Sequence, residues 1–239
     1  MDPDASGQVA ANLAAIRQRL AAALERAGRA PDAARLIAVS KTFSADHVRA
    51  AYAAGQREFG ENKVQEALAK RDATADLPLS WHLIGHLQGN KARKTIGAFD
   101  WIHSVDRVDL LRRLDEAAAG HASPPRLLVQ VDMAAEPTKF GVPVDDLRTL
   151  LDAAAACRTV QVAGLMLLPP WSDDPEASRP WFRRLRELRD QLLSEGYPST
   201  ALAELSMGMS HDFDVAVEEG ATMVRVGTAI FGHRPSPSL

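Results

Sequence analysis

With 239 residues, 46% of them hydrophobic and 25% charged, the chain is long enough to bury a substantial core without disulfides or metals. Its net charge of -3 and isoelectric point near 6.2 exclude a global field that would gather nucleic acid or an anionic membrane surface. The acidic N-terminal stretch MDPDASGQVAANL and the lack of any apolar run of about 18 residues argue against export and membrane insertion. The single cysteine, Cys157 in LLDAAAAC, excludes an internal disulfide and reads as a buried structural thiol in a cytoplasmic protein.

From Gln8 to Ala27, the residues Val9, Leu13, Ile16, Leu20 and Leu24 recur every three or four positions, which predicts an amphipathic helix stopping near Gly28. Leu36, Ile37, Ala38 and Val39, within RLIAVSKTF, form a short apolar run that predicts a strand buried on both faces, with Lys41 at its exit. Ser44 starts a helix through His47, Val48 and Tyr52 to Gly55, and Glu58-Phe59 begins a second strand that runs into Gly60-Glu61-Asn62. A helix from Val64 to Arg71 leads to a third strand, Trp81 to Ile84, ending in Gly85-His86. A basic helical turn with Lys91, Arg93 and Lys94 reads as a solvated face; a fourth strand at Trp101 to His103 and a helix to Gly120 follow it.

Arg126 to Val131 predicts a fifth strand that exits at Asp132-Met133 into the loop AAEPTKFG, which carries Lys139. Next come a helix from Val144 to Cys157, a strand from Val160 to Leu165 exiting at Met166, and a helix from Glu176 to Ser194. The last units are a brief strand, Glu204 to Ser206, an acidic helix from near Ser210 to Gly220, and a strand from Thr222 to Val226 exiting at Gly227-Thr228. Strands and helices alternate eight times with no linker-like segment between them, which predicts an α/β fold in one domain over residues 1–239. A single (β/α)8 TIM-type barrel with an extra N-terminal helix fits this length. An open doubly wound sheet fits less well, because no G-x-G-x-x-G turn follows the first strand.

In such barrels the site sits at the C-terminal ends of the strands. The predicted exits are Lys41, Asn62, His86, Ser104, Asp132, Met166, Ser206 and Arg225. A lysine at the end of a buried strand can keep a desolvated amine able to attack a carbonyl. Ser206-Met207-Gly208-Met209-Ser210 and Arg225-Val226-Gly227-Thr228 lie at the seventh and eighth exits, where small residues, hydroxyls and the helix starting near Ser210 suit a phosphate. An imine-forming amine, a phosphate cup and an arginine suit pyridoxal 5'-phosphate. A guanidinium beside the pyridine nitrogen would keep that nitrogen unprotonated and the ring a weak electron sink. His82 and His86 are four apart, but the first sits in a strand, so no metal site is expected.

The segments AVSKTF, FGENKVQE, WHLIGHLQGNK, LMLLP, LSMGMSHDF and MVRVGTAIFG resemble, in order, those of the pyridoxal phosphate homeostasis protein family (the YggS/PROSC type). The resemblance implies a barrel related to the N-terminal domain of alanine racemase, monomeric or weakly associating. It places the cofactor as a Schiff base on Lys41, Arg225 against the ring nitrogen, and Asn62 near the ring. Ser206, Met207, Gly227 and Thr228 would hold the phosphate, and Met166 of LMLLP would belong to the cofactor site. Phe43 stands where many bacterial members carry a second lysine, whereas Lys139 of EPTKFG matches a family lysine at the rim and is a candidate secondary acceptor.

The expected role is that of a pyridoxal phosphate carrier or regulator without established turnover, with pyridoxal-phosphate-dependent apoenzymes as possible recipients. The alternative is an enzyme with weak racemase-type activity on a small amino acid, using Lys41 alone. Two-base racemisation is not expected, since the sequence ends at Leu239 and neither Tyr52 nor Tyr197 lies at a predicted strand exit. A lysine-dependent aldolase acting on a sugar phosphate would need the same amine and phosphate site, but would carry no imine chromophore at rest.

Overall fold

The structure, a computed structural model, describes residues 3–134 and 140–232. Its strands are β1 (Arg35–Val39), β2 (Glu58–Glu61), β3 (Ser80–Leu83), β4 (Trp101–Val105), β5 (Arg126–Asp132), β6 (Val142–Pro143), β7 (Gln161–Met166), β8 (Glu204–Ser206) and β9 (Met223–Val226). Neighbours pair in parallel in the order β4-β3-β2-β1-β9-β8-β7-β5, and Trp101 against Arg126 joins β4 to β5. The sheet therefore closes on itself as an eight-stranded TIM-type barrel. The two-residue β6, which the sequence pattern does not announce, pairs only with the end of β5, Val131 against Val142, and lies outside the barrel circuit.

Around the barrel run α1 (Pro3–Arg26), α2 (Ala45–Ala53), α3 (Val64–Ala73), α4 (Ala92–Thr95), α5 (Val108–Ala118), α6 (Leu147–Ala155), α7 (Arg179–Ser194), α8 (Phe213–Glu218) and α9 (Thr228–Phe231). Helix α1 turns Leu13, Ile16, Ala23 and Leu24 inward and packs against α2, α8 and α9, which makes it the extra N-terminal helix. Arg29 ties its end to α8, its guanidinium donating to the carbonyls of Val217 at 2.7 Å and Ala221 at 2.8 Å. On α7 the buried stripe is Phe182, Leu185, Leu188 and Leu192, and Trp181 is only partly covered. The acidic helix begins at Phe213 rather than near Ser210, because Gly208 turns at φ 90° and Asp212 accepts from the Met209 N–H at 2.7 Å, forming a turn first.

Most of the apolar core lies between sheet and helices. A smaller cluster of Ile37, Trp101, Leu128, Ala163, Met166 and Met223 fills part of the barrel interior, beside the buried polar residues His82, His103, Ser206 and Arg225. Gly164 lets β7 approach β8, since a Cβ there would stand 2.0 Å from the Glu204 carbonyl oxygen. Cys157 is half-buried rather than buried, at the end of α6. No helix among the described residues is long and apolar enough to cross a membrane.

Candidate functional site

At the C-terminal mouth of the barrel lies a cavity of about 650 Å³ whose wall includes Lys41, Asn62, Arg225, Gly227 and Thr228. Five residues singled out from sequence thus meet around one space, delivered by the ends of three neighbouring strands, β2, β1 and β9. Phe43, Trp171, Ser210 and His211 complete much of the rest of the wall.

Lys41 lies just past β1, on a turn that is propped from behind. Glu61, at the end of β2, is fully buried, and its Oε1 accepts from Lys70 Nζ and from Ser40 Oγ, both at 2.6 Å. The same ammonium donates to the Ser40 carbonyl at 2.6 Å, so α3 holds the backbone one residue before Lys41. Burial pushes the Glu61 carboxyl upward, while Lys70 and the Ser40 hydroxyl pull it the other way. Thr42 follows at φ 71°, a conformation costly for a β-branched residue, and the Phe43 N–H closes the turn on the Ser40 carbonyl at 3.0 Å. Asn62 is fixed by close packing as well: a Cβ on Gly85 would fall 2.3 Å from its carbonyl oxygen.

Arg225 projects from β9 and is almost completely buried. Its guanidinium donates to the Leu167 carbonyl at 2.9 Å and to Ser206 Oγ at 2.5 Å. Desolvation pushes it down to about 10, which leaves it charged at neutral pH. Ser206 is fully buried, and its hydroxyl is engaged by Arg225 and by His103 Nδ1 at 2.9 Å. Met207 lies outside the cavity wall, packed in the outer core, with its N–H donated to the Met223 carbonyl at 3.1 Å. Met166 is fully buried in the barrel's inner apolar cluster. The hydroxyl that does face the cavity from this region is Ser210, whose Oγ accepts from Gly227 N at 3.1 Å and from Ala229 N at 3.5 Å.

Trp171 and His211 of the wall are not marked by the sequence pattern. His211 is tilted against Trp171 at a centroid distance of 4.6 Å, and both its ring nitrogens are buried without a hydrogen-bond partner among the described residues. Such orphaned polar atoms beside a cavity suit a ligand that brings donors or acceptors of its own. Phe43 occupies its place as a packing residue, 5.2 Å from the Phe231 ring and 5.1 Å from His47. His82 and His86 separate: His82 contacts His103 inside the barrel, whereas His86 stacks on Phe140 at 3.6 Å. Lys139 lies outside the described residues.

An amine on a braced turn, a buried guanidinium and a small-residue turn lined with hydroxyls can together hold a planar carbonyl compound that carries an anionic group.

Residues 11–235 match the family model described as alanine racemase, N-terminal domain. A pyridoxal phosphate homeostasis protein of Aquifex aeolicus is 45% identical over 222 residues, which cover 93% of this chain and 96% of that protein. The pyridoxal phosphate homeostasis protein of Escherichia coli K12 is 38% identical over 234 residues, 95% of this chain and 97% of the relative. PipY of Synechococcus elongatus, solved with PLP bound, superimposes with a TM-score of 0.83 at 44% identity, over 94% of this chain and all of PipY. Alanine racemase of Corynebacterium glutamicum shares the fold with a TM-score of 0.73 at 19% identity, over 98% of this chain and 63% of the racemase.

Proposed function

The chain belongs to the pyridoxal phosphate homeostasis protein family, on the alanine racemase N-terminal domain fold, and from that premise we propose that it binds pyridoxal 5'-phosphate at the barrel mouth and serves the homeostasis of that cofactor. The observation that carries this reading is convergence: Lys41, Arg225 and the Gly227-Thr228 turn, distant in sequence, share the wall of one cavity of about 650 Å³. That volume lies in the range of small-molecule and cofactor sites. The orphaned nitrogens of His211 on the same wall fit a polar ligand rather than an apolar one.

In this reading Lys41 Nζ holds the cofactor as a Schiff base, and the turn braced by Lys70 and Glu61 keeps the amine aimed at the cavity. Arg225 faces the ring nitrogen as a donor that does not give up its proton at neutral pH. Gly227 and Thr228, with Ser210 in place of Ser206, receive the phosphate, and Asn62 borders the ring. When bound, the cofactor supplies an electrophilic aldehyde and a ring able to accept electron density.

A carrier or regulatory role, with pyridoxal-phosphate-dependent apoenzymes as recipients and the protein acting as a monomer, fits the positions of the tyrosines. Tyr52 on α2 lies under the Arg57 guanidinium at 3.9 Å, and the Tyr197 hydroxyl donates to Asp152 at 2.9 Å. Neither belongs to the cavity wall, so neither stands opposite Lys41 as a second acid-base group. The test is an absorbance spectrum of the protein with pyridoxal phosphate, then borohydride reduction and peptide mass mapping. A near-visible imine band with the added mass on the Lys41 peptide is expected. No band and no adduct would overturn the assignment.

A further inference from the structure

Arg225 is a buried cation whose hydrogen-bond acceptors are a carbonyl and a hydroxyl, both neutral. Beyond that hydroxyl, a line of polar side chains runs through the barrel interior toward the opposite end. Ser206 Oγ lies 2.9 Å from His103 Nδ1, and His103 Nε2 lies 3.0 Å from His82 Nδ1. His82 Nε2 faces Glu58 Oε2 across an ion-pair contact of 3.2 Å, and neither atom has a hydrogen-bond partner among the described residues. Ser206, His82 and His103 are fully buried, whereas the Glu58 side chain, at the start of β2, is 24% exposed. Arg35, at the start of β1, approaches Glu58 to 3.8 Å and Glu204 to 2.7 Å, which marks this as the charged floor of the barrel.

The direction of every proton in this line follows from its two ends. A carboxylate can only accept, so the proton of neutral His82 sits on Nε2 and its Nδ1 is bare. His103 must then donate from Nε2 and accept at Nδ1, and the Ser206 hydroxyl must donate to that nitrogen. This leaves a lone pair of Ser206 facing the guanidinium that donates to it. Each N–H and O–H dipole has its negative end toward Arg225 and its positive end toward Glu58, so all of them favour a cation at the mouth. Burial holds both imidazoles below their ordinary value, and His103 is held lower still by His82, Arg225 and Arg35, which keeps both neutral.

We propose that Ser206, His103, His82 and Glu58 are positioning residues for Arg225, forming a one-way hydrogen-bond relay through the barrel that fixes its guanidinium and couples ligand affinity at the mouth to a carboxylate on the floor. The link to affinity rests on the cofactor reading given above; the relay itself does not. Its hydrogen bonds run from Arg225 to His82 and its last step to Glu58 is an ion-pair contact, and no step in it touches the cavity except through Arg225.

Two measurements separate these layers. Nitrogen NMR of the histidine rings in cofactor-free protein should show His82 and His103 neutral and both protonated on Nε2. A proton on His103 Nδ1, or a doubly protonated ring at neutral pH, would overturn the relay. Pyridoxal phosphate titrations of Glu58→Leu and Glu58→Gln, at the end remote from the cavity, then read the coupling. Glu58→Leu should weaken binding about tenfold, as for loss of one charge-supporting hydrogen bond, with borohydride attachment to Lys41 retained. Glu58→Gln keeps an acceptor for His82 and should recover most of that loss. Equal affinity of wild type and Glu58→Leu would overturn the coupling. A wild-type protein that binds no pyridoxal phosphate would overturn the proposed function, and the relay would be decided by the nitrogen spectra alone.

Discussion

Lys70 of α3 and Ser40, the residue before Lys41, are joined by an ammonium-to-carbonyl hydrogen bond of 2.6 Å, made by the same ammonium that pairs with buried Glu61. The turn presenting the candidate nucleophile is therefore set by a residue far from the cavity wall. Removing only one member of such a buried pair strands the other. Lys70→Met should lower stability by about 3 kcal/mol, measured by urea denaturation, whereas Lys70→Met combined with Glu61→Leu should recover much of it. Equal losses in the single and double variants would show that the charges themselves matter little.

Gly85 touches the backbone of Asn62 so closely that a methyl group would meet its carbonyl oxygen at 2.3 Å and its Cα at 2.8 Å. Because the obstacle is backbone, no rotamer change relieves it. Gly85→Ala should cost about 1–3 kcal/mol and, by displacing Asn62, weaken pyridoxal phosphate binding more than a surface substitution of equal thermal cost. Calorimetric unfolding beside a cofactor titration checks both.

Acid should destabilise the fold through its interior histidines. Burial holds His82 below the ordinary imidazole value against the pull of Glu58, and burial and then neighbouring positive charge hold His103 below it, while in the unfolded chain both return to about 6.5. The unfolded state therefore takes up protons first as pH falls. Their contribution is complete above about pH 6.5 and is lost as pH drops from there through the folded values. Urea midpoints should fall between about pH 7 and about pH 5, and the slope should flatten in the His82→Phe/His103→Phe double variant; an unchanged slope would assign the acid sensitivity to other groups.

Glu219, almost buried at the end of α8, receives Arg179 at 3.2 Å and Arg183 and Arg186 at 3.0 Å, all from α7. These arginines outweigh the effect of burial and hold its carboxyl below the ordinary range. Glu219→Gln should cost about 1–3 kcal/mol, seen as a lower urea midpoint with pyridoxal phosphate affinity unchanged, since none of these residues belongs to the cavity wall.

The barrel was legible because its strands are short apolar runs ended by polar or small residues, as in Leu36 to Val39 before Lys41 and Met223 to Val226 before Gly227. What the pattern could not settle was the side of the sheet on which each residue falls. In β8 only Glu204, Leu205 and Ser206 are paired, too few for an alternation to emerge. Ser206 consequently read as an exit hydroxyl, although it points into the barrel and serves Arg225. Met166 at the end of β7 and Met207 just past β8 are both fully buried, a placement that apolar runs do not distinguish from a position at the mouth. Residues such as Lys70, His103 and His211 act through partners distant in sequence, so nothing in their local context marked them.

Trp171 differs from the other tryptophans in where it stands. It is 70% exposed on the cavity rim against His211, while Trp81 and Trp101 are buried and Trp181 is partly covered against α7's side of the core. The molecule thus carries its own optical probe at the one place where occupancy would change its surroundings. Emission from Trp171 should quench when a near-visible chromophore enters beside it, and a Trp171→Phe protein should lose most of that response. Loading and unloading could then be followed in real time with no label attached.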